Sequence, residues 1–152
     1  MTKIEALSLE AVKYVAWRMR DADRIEISAM MHKLAPDELA HHIVARCKHG
    51  FVVGTEEPIA VAAANEVWPG RYEVMMFATD KWPKVALSAT RQIKKKVIPA
   101  MLKDGLKLAF CFVHAEHKIA YDWLISLGFK ENNALPEWGK NGEEFKLMVW
   151  RQ

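Results

Sequence analysis

The chain has 152 residues, the length of one ordinary domain and too few for two separate cores. Half of them are hydrophobic and 27% are charged, which is globular composition and leaves little room for a long disordered tail. The formal charge of +3 is mild, and acidic and basic residues alternate except at Lys94-Lys95-Lys96, so no nucleic-acid or membrane footprint emerges.

Ser8 can cap a helix running to Arg20, because Val12, Val15, Ala16 and Met19 recur at helical spacing. A short extended piece near Ile4 precedes it. The same spacing predicts a second helix over 22–33 that buries Ile25, Ala29 and Met30. Pro36, followed by Asp37 and Glu38, opens a third helix to about Cys47. From Gly50 the period changes to that of strands. Residues 51–53, 59–64 and 72–77 are short β-rich runs separated by Gly54 to Pro58 and by Trp68-Pro69-Gly70, which is turn chemistry and predicts an antiparallel meander.

Helical spacing returns over 85–103, with Ile93, Val97, Ile98, Met101 and Leu102 on one face. Leu106 to Val113 is a near-continuous apolar run, predicting a central strand buried on both faces. A shorter helix over 116–127 shows Ile119, Ala120, Trp123, Leu124 and Leu127 to the core and is closed by Gly128. Two late strands, one beginning at Phe129 and one over 145–150, are joined through Asn141-Gly142. The fold class is therefore α/β (an α+β mixed sheet): helices first, then β-β-β-α-β-α-β-β in a single domain.

Cys47 and Cys111 lie far apart among apolar neighbours, where free thiols behave as small buried hydrophobes. Two reduced cysteines and a cytoplasmic life are expected. The opening MTKIEALSLEAVKY lacks the basic-then-apolar pattern of a secretion signal, and no apolar run approaches the roughly 20 residues that span a bilayer. The histidines show no recurrent metal-ligand spacing, so no metal is expected.

The stretch HAEHKIAYDWLISLGFKEN, His114 to Asn132, together with the element order, resembles the GNAT acyltransferase fold. In that family a strand is followed by Asn-x-x-Ala, a helix and a Gly-Phe pair; here Val113, His117, Ala120, Gly128 and Phe129 fall in step. A narrower resemblance covers nearly the whole chain. Arg20, Asp23, Arg24 and Glu26 at a helix start, Thr79-Asp80 at a strand end, and the tail LPEWGKNGEEFKLMVW are similar to GNAT-like proteins of short-tailed phages, a group that includes internal virion protein A. That resemblance implies a phage protein in the host bacterial cytoplasm or associated with the virion, with a virion or host protein as partner.

An active GNAT enzyme binds the CoA diphosphate with backbone N–H groups of an Arg/Gln-x-x-Gly-x-Gly/Ala loop at a helix N-terminus, where glycine allows close approach. The corresponding stretch, Thr79 to Gln92, contains no glycine, carries Pro83 and bulky Trp82, and sets Asp80 near where the phosphates would lie. Side chains of Lys81, Lys84, Ser88, Thr90 and Arg91 are the substitute contacts on offer, with Phe77 and Thr79 at the strand end beside them. The resemblance also asks for a tyrosine five residues before the Gly-Phe phenylalanine, to protonate the departing thiolate. Leu124 stands there. Tyr121, one turn earlier, and His117 are the alternative proton donors, and Glu73 or Glu66 a base; packing, structural and surface roles compete for each. The expectation is a GNAT-fold protein that acts by protein binding without a required cofactor; the alternative is a divergent N-acetyltransferase that uses acetyl-CoA.

Overall fold

A computed structural model describes residues 1–152. One mixed sheet has the strand order β1-β2-β3-β4-β5-β7-β6. The strands are β1 (Lys3–Glu5), β2 (His49–Gly54), β3 (Pro58–Trp68), β4 (Arg71–Ala78), β5 (Leu108–His114), β6 (Lys130–Leu135) and β7 (Phe145–Arg151). The expected meander is antiparallel β2-β3-β4, and the short extended piece near Ile4 joins its edge, with Ile4 opposite Val53.

Three helices cover one face: α1 (Leu9–Ala16), α2 (Asp21–Ala29) and α3 (Pro36–Arg46). Ser8 caps α1 by accepting from Ala11 N at 3.2 Å, and Pro36 opens α3 where its missing N–H costs nothing. Val12, Val15, Ile43 and Phe77 form the core of this layer. On the other face lies a 3₁₀ turn (Trp82–Lys84), then α4 (Ala86–Gln92), a π-helical stretch (Ile93–Val97), α5 (Ile98–Lys103) and, after β5, α6 (Lys118–Ser126). Gly128, at φ +101°, ends α6 in the left-handed region, and Phe129 N donates to Leu124 O as the chain returns to the sheet.

β4 and β5 are the one parallel pair, and their pairing is short. It runs through Arg71↔Leu108, Tyr72↔Ala109 and Glu73↔Phe110 and then stops. Beyond that point β4 stays with β3 as far as Ala60↔Ala78, while β5 stays with β7 as far as His114↔Phe145. The strands part, and backbone groups on their facing edges lose strand partners.

The parting overturns part of the helical reading. Ile25 and Met30 do not enter the core from α2: they are 54% and 41% exposed, whereas Asp23 and Glu26 are only 1% and 8% exposed. Buried backbone donors at the parted strands need acceptors more than the core needs two further apolar side chains. Leu102 is also outside, because the π stretch inserts a residue and turns the next helical residues by about 100° relative to an uninterrupted α-helix. Ile119 is exposed at the start of α6, whose inward stripe is Ala120, Leu124 and Leu127. β5 is central but fully buried on one face only: Ala109, Cys111 and Val113 point inward, while Phe110 and Phe112 are half-buried beyond the reach of α1 to α3. Phe112 is covered instead by Trp138, stacked at 4.9 Å.

Candidate functional site

The parted ends of β4 and β5 are bridged by α2. Asp23 Oδ2 accepts from Ala78 N at 2.8 Å, and Glu26 Oε2 accepts from His114 N at 2.9 Å, so one carboxylate holds the end of each strand. These residues lie three apart and therefore on one stripe of the helix. Arg20, one step further back on that stripe, reaches Asp23 through Nε at 2.8 Å and through its terminal nitrogen at 3.2 Å, and its own N–H donates to Ala78 O. His117 Nε2 meets Asp23 Oδ1 at 2.7 Å. Because His117 Nδ1 accepts from Ala120 N, a long contact at 3.5 Å, the ring is an N-cap for α6 with its proton on Nε2. His117 thus caps the helix at the position where the resemblance sets an asparagine.

Burial raises the Glu26 carboxyl to about 7, even though the His114 N–H pulls it down. Its second oxygen has no protein partner. Asp23, Glu26 and His117 also bring three metal-capable atoms within 4.8 Å of one another. Asp23 already accepts from Ala78 N, Arg20 and His117, and the Arg20 guanidinium supplies its positive charge, so a metal ion would have to displace that side chain.

The phosphate-side turn has used most of its amides internally. Lys81 N donates to Thr79 Oγ1, Trp82 N to Thr79 O, Lys84 N to Lys81 O and Val85 N to Trp82 O, while Pro83 has none. No residue between Thr79 and Gln92 has a positive φ, so the loop lacks the left-handed step that turns successive N–H groups toward one anion. The gap between α4 and α6 is filled as well. Trp82, 5% exposed, packs edge-on against Trp123 at 5.3 Å, and Trp123 Nε1 donates to Thr90 Oγ1 at 2.9 Å.

Phe77 is fully buried in the layer beneath α1 and α3, and Thr79 is bonded into the turn. Thr90 is spent on Ala86 O and Trp123. Lys84 and Arg91 are exposed and Ser88 is half-buried, none with a side-chain partner. Tyr121 is on the outward side of α6, donating to Glu131 at 3.0 Å with Lys146 over its ring, and this bond raises the phenol. Glu73 is at the root of the parting, half-buried and raised by burial. The structure brings His117 to the α2 carboxylates and sets Tyr121 apart from them. In the sequence, Asp23 and Glu26 stand out only through a resemblance; the signal that points to the bridge is the run of charges at 20, 23 and 26 along one helical stripe.

The mixed sheet with its single short parallel junction, α1 to α3 on one face and α4 to α6 on the other, is the GNAT acetyltransferase fold. The solved structures it resembles include the ribosomal-protein-S18-alanine N-acetyltransferase from Escherichia coli (18% identity, TM-score 0.73, covering 99% of this chain and 94% of that one). Ard1 from Thermoplasma volcanium is similar over 99% and 97% of the two chains at 9% identity and TM-score 0.75. yncA from Salmonella typhimurium, solved with its cofactor acetyl-CoA, is similar over 99% and 93% at 12% identity and TM-score 0.72. No protein-family model matches the chain, and no curated protein matches it in sequence. No helix is long and apolar enough to cross a membrane.

Proposed function

We propose that this chain is a GNAT-fold protein that works by binding a protein partner and does not transfer acetyl groups. One observation supports the reading: the gap between α4 and α6, toward which a diphosphate at the start of α4 would lead, is filled by Trp82, Trp123 and Thr90. At the parted strands a cofactor would meet Asp23 and Glu26 already bonded to Ala78 and His114. The resemblance to phage GNAT-like proteins supports a virion protein or a host protein as the partner, met in the infected cell or in the particle.

A second reading, a divergent acetyl-CoA-dependent N-acetyltransferase, is favoured by Glu26, a carboxyl raised to about 7 and therefore in the range of a general base at neutral pH. Lys84, Ser88 and Arg91 would then supply phosphate contacts, with Tyr121, His117 or Glu73 in proton transfer. Isothermal titration with millimolar acetyl-CoA, on the wild type and on Arg91→Ala, separates the two. No saturable heat is expected from either protein. A micromolar constant lost in Arg91→Ala would establish the enzyme reading in place of ours.

A further inference from the structure

Between the α4-to-α6 layer and the sheet, and extending through the parting to α2, lies a cavity of about 140 Å³. Its floor includes Ala62 and Ala64 of β3, in a strand whose four alanines stand where β-branched residues would ordinarily fill the space. Ile93 and Val97 of the π stretch line it from above, so the widened helix turn sits over the small side chains. Most of the remaining lining is apolar, and apolar space of this size takes up molecules as large as benzene. Its polar side chains are His49, which is bonded to Asp104, Glu73, which is only half-buried, and Glu26. More than nine-tenths buried, Glu26 lines the same cavity with an oxygen that no protein group uses. Half-exposed Met30, also in the lining, brings the cavity to the surface.

We propose that this cavity is a binding site for a compact apolar molecule with one hydrogen-bond donor, of the size and class of a small phenol, whose donor bonds to Glu26. The free oxygen of the ionised carboxyl accepts, and an enclosed acceptor gains most from a donor that brings its own apolar body. The site shares Glu26 and the parted strands with the acetyl-transfer reading but needs neither coenzyme nor transfer, so phenol binding is read separately from the acetyl-CoA titration.

Calorimetric titration and thermal shift of the full chain with phenol and with toluene test it. Both probes should bind saturably, phenol at least as tightly as toluene. Glu26→Met, which keeps an apolar side chain of similar length, should weaken phenol tenfold or more while leaving toluene unchanged. Ala64→Leu and Ala62→Val fill the space and should abolish binding of both probes in protein with native circular dichroism. Absence of saturable binding to the wild type overturns the proposal. So does phenol binding that persists unchanged in the two filled variants, or that is indifferent to Glu26→Met.

Discussion

Replacing Asp23 by alanine tests whether the charged bridge holds the parted strands. Asp23 is 1% exposed, and its removal takes the acceptor from Ala78 N, the counter-ion from Arg20 and the partner from His117 in one step. Breaking a buried ion pair by removing one partner costs about 3–5 kcal/mol, because the other charge stays behind without compensation. In a domain of this size each kcal/mol lowers the melting temperature by about 2–4 °C, so Asp23→Ala should melt roughly 6–20 °C below the wild type. Urea unfolding followed by circular dichroism gives the free energy directly, provided the slope with denaturant is unchanged. Adding Arg20→Met removes the stranded cation and should restore about 1–3 kcal/mol, a coupling that a double-mutant cycle reads. A loss below about 1 kcal/mol for Asp23→Ala, or strict additivity with Arg20→Met, would refute the bridge.

Glu26 should make stability fall as the solution becomes more alkaline. Its carboxyl moves from an ordinary value of 4.5 to about 7 on folding, chiefly by burial, so the folded state holds the proton more tightly in between. This contribution is full at and below about pH 4.5, falls by about 3 kcal/mol as the pH rises through 7, and is level above. Glu26→Gln should flatten that slope and melt higher than the wild type at pH 8; parallel pH profiles would contradict it. The thiols should be nearly inert in the native protein. Cys47 is raised to about 11 by burial, with Glu73 adding to it, and Cys111 is raised further by its full enclosure. Iodoacetamide at pH 8 should label Cys47 slowly and Cys111 only in urea, by mass spectrometry; prompt native labelling of Cys111 would show that the reagent reaches it through the cavity or by opening of β5.

Elements whose side chains follow one dominant period are readable from the chain. The meander announces itself by turns at Gly54 to Pro58 and at Pro69-Gly70, and Gly128 marks the end of α6 because a left-handed residue is needed there. α2 departs from its predicted face for a physical reason: amphipathic spacing assumes that the core asks for apolar groups. At the parted strands it asks for acceptors, and Asp23 and Glu26 supply them across more than fifty residues of sequence. The same long-range logic hides the link from the β6–β7 loop to the end of α2, where Lys140 N donates to Ala29 O. The π stretch leaves no trace in periodicity, since one added residue resembles noise in a helical pattern. For the site, absent glycines forecast an unsuited phosphate turn, but the Trp82–Trp123 contact depends on how two distant segments meet.

The three-rung junction between β4 and β5 also sets how the molecule can move. On either side of it lies a well-knitted slab, four strands on one flank and three on the other, and along the seam α2 supplies the carboxylates that tie both strand ends. A swing of the two slabs, like leaves on a spine, strips Ala78 N and His114 N of their carboxylates in a single event. Deuterium should therefore enter those two amides in step, although 36 residues of chain separate them.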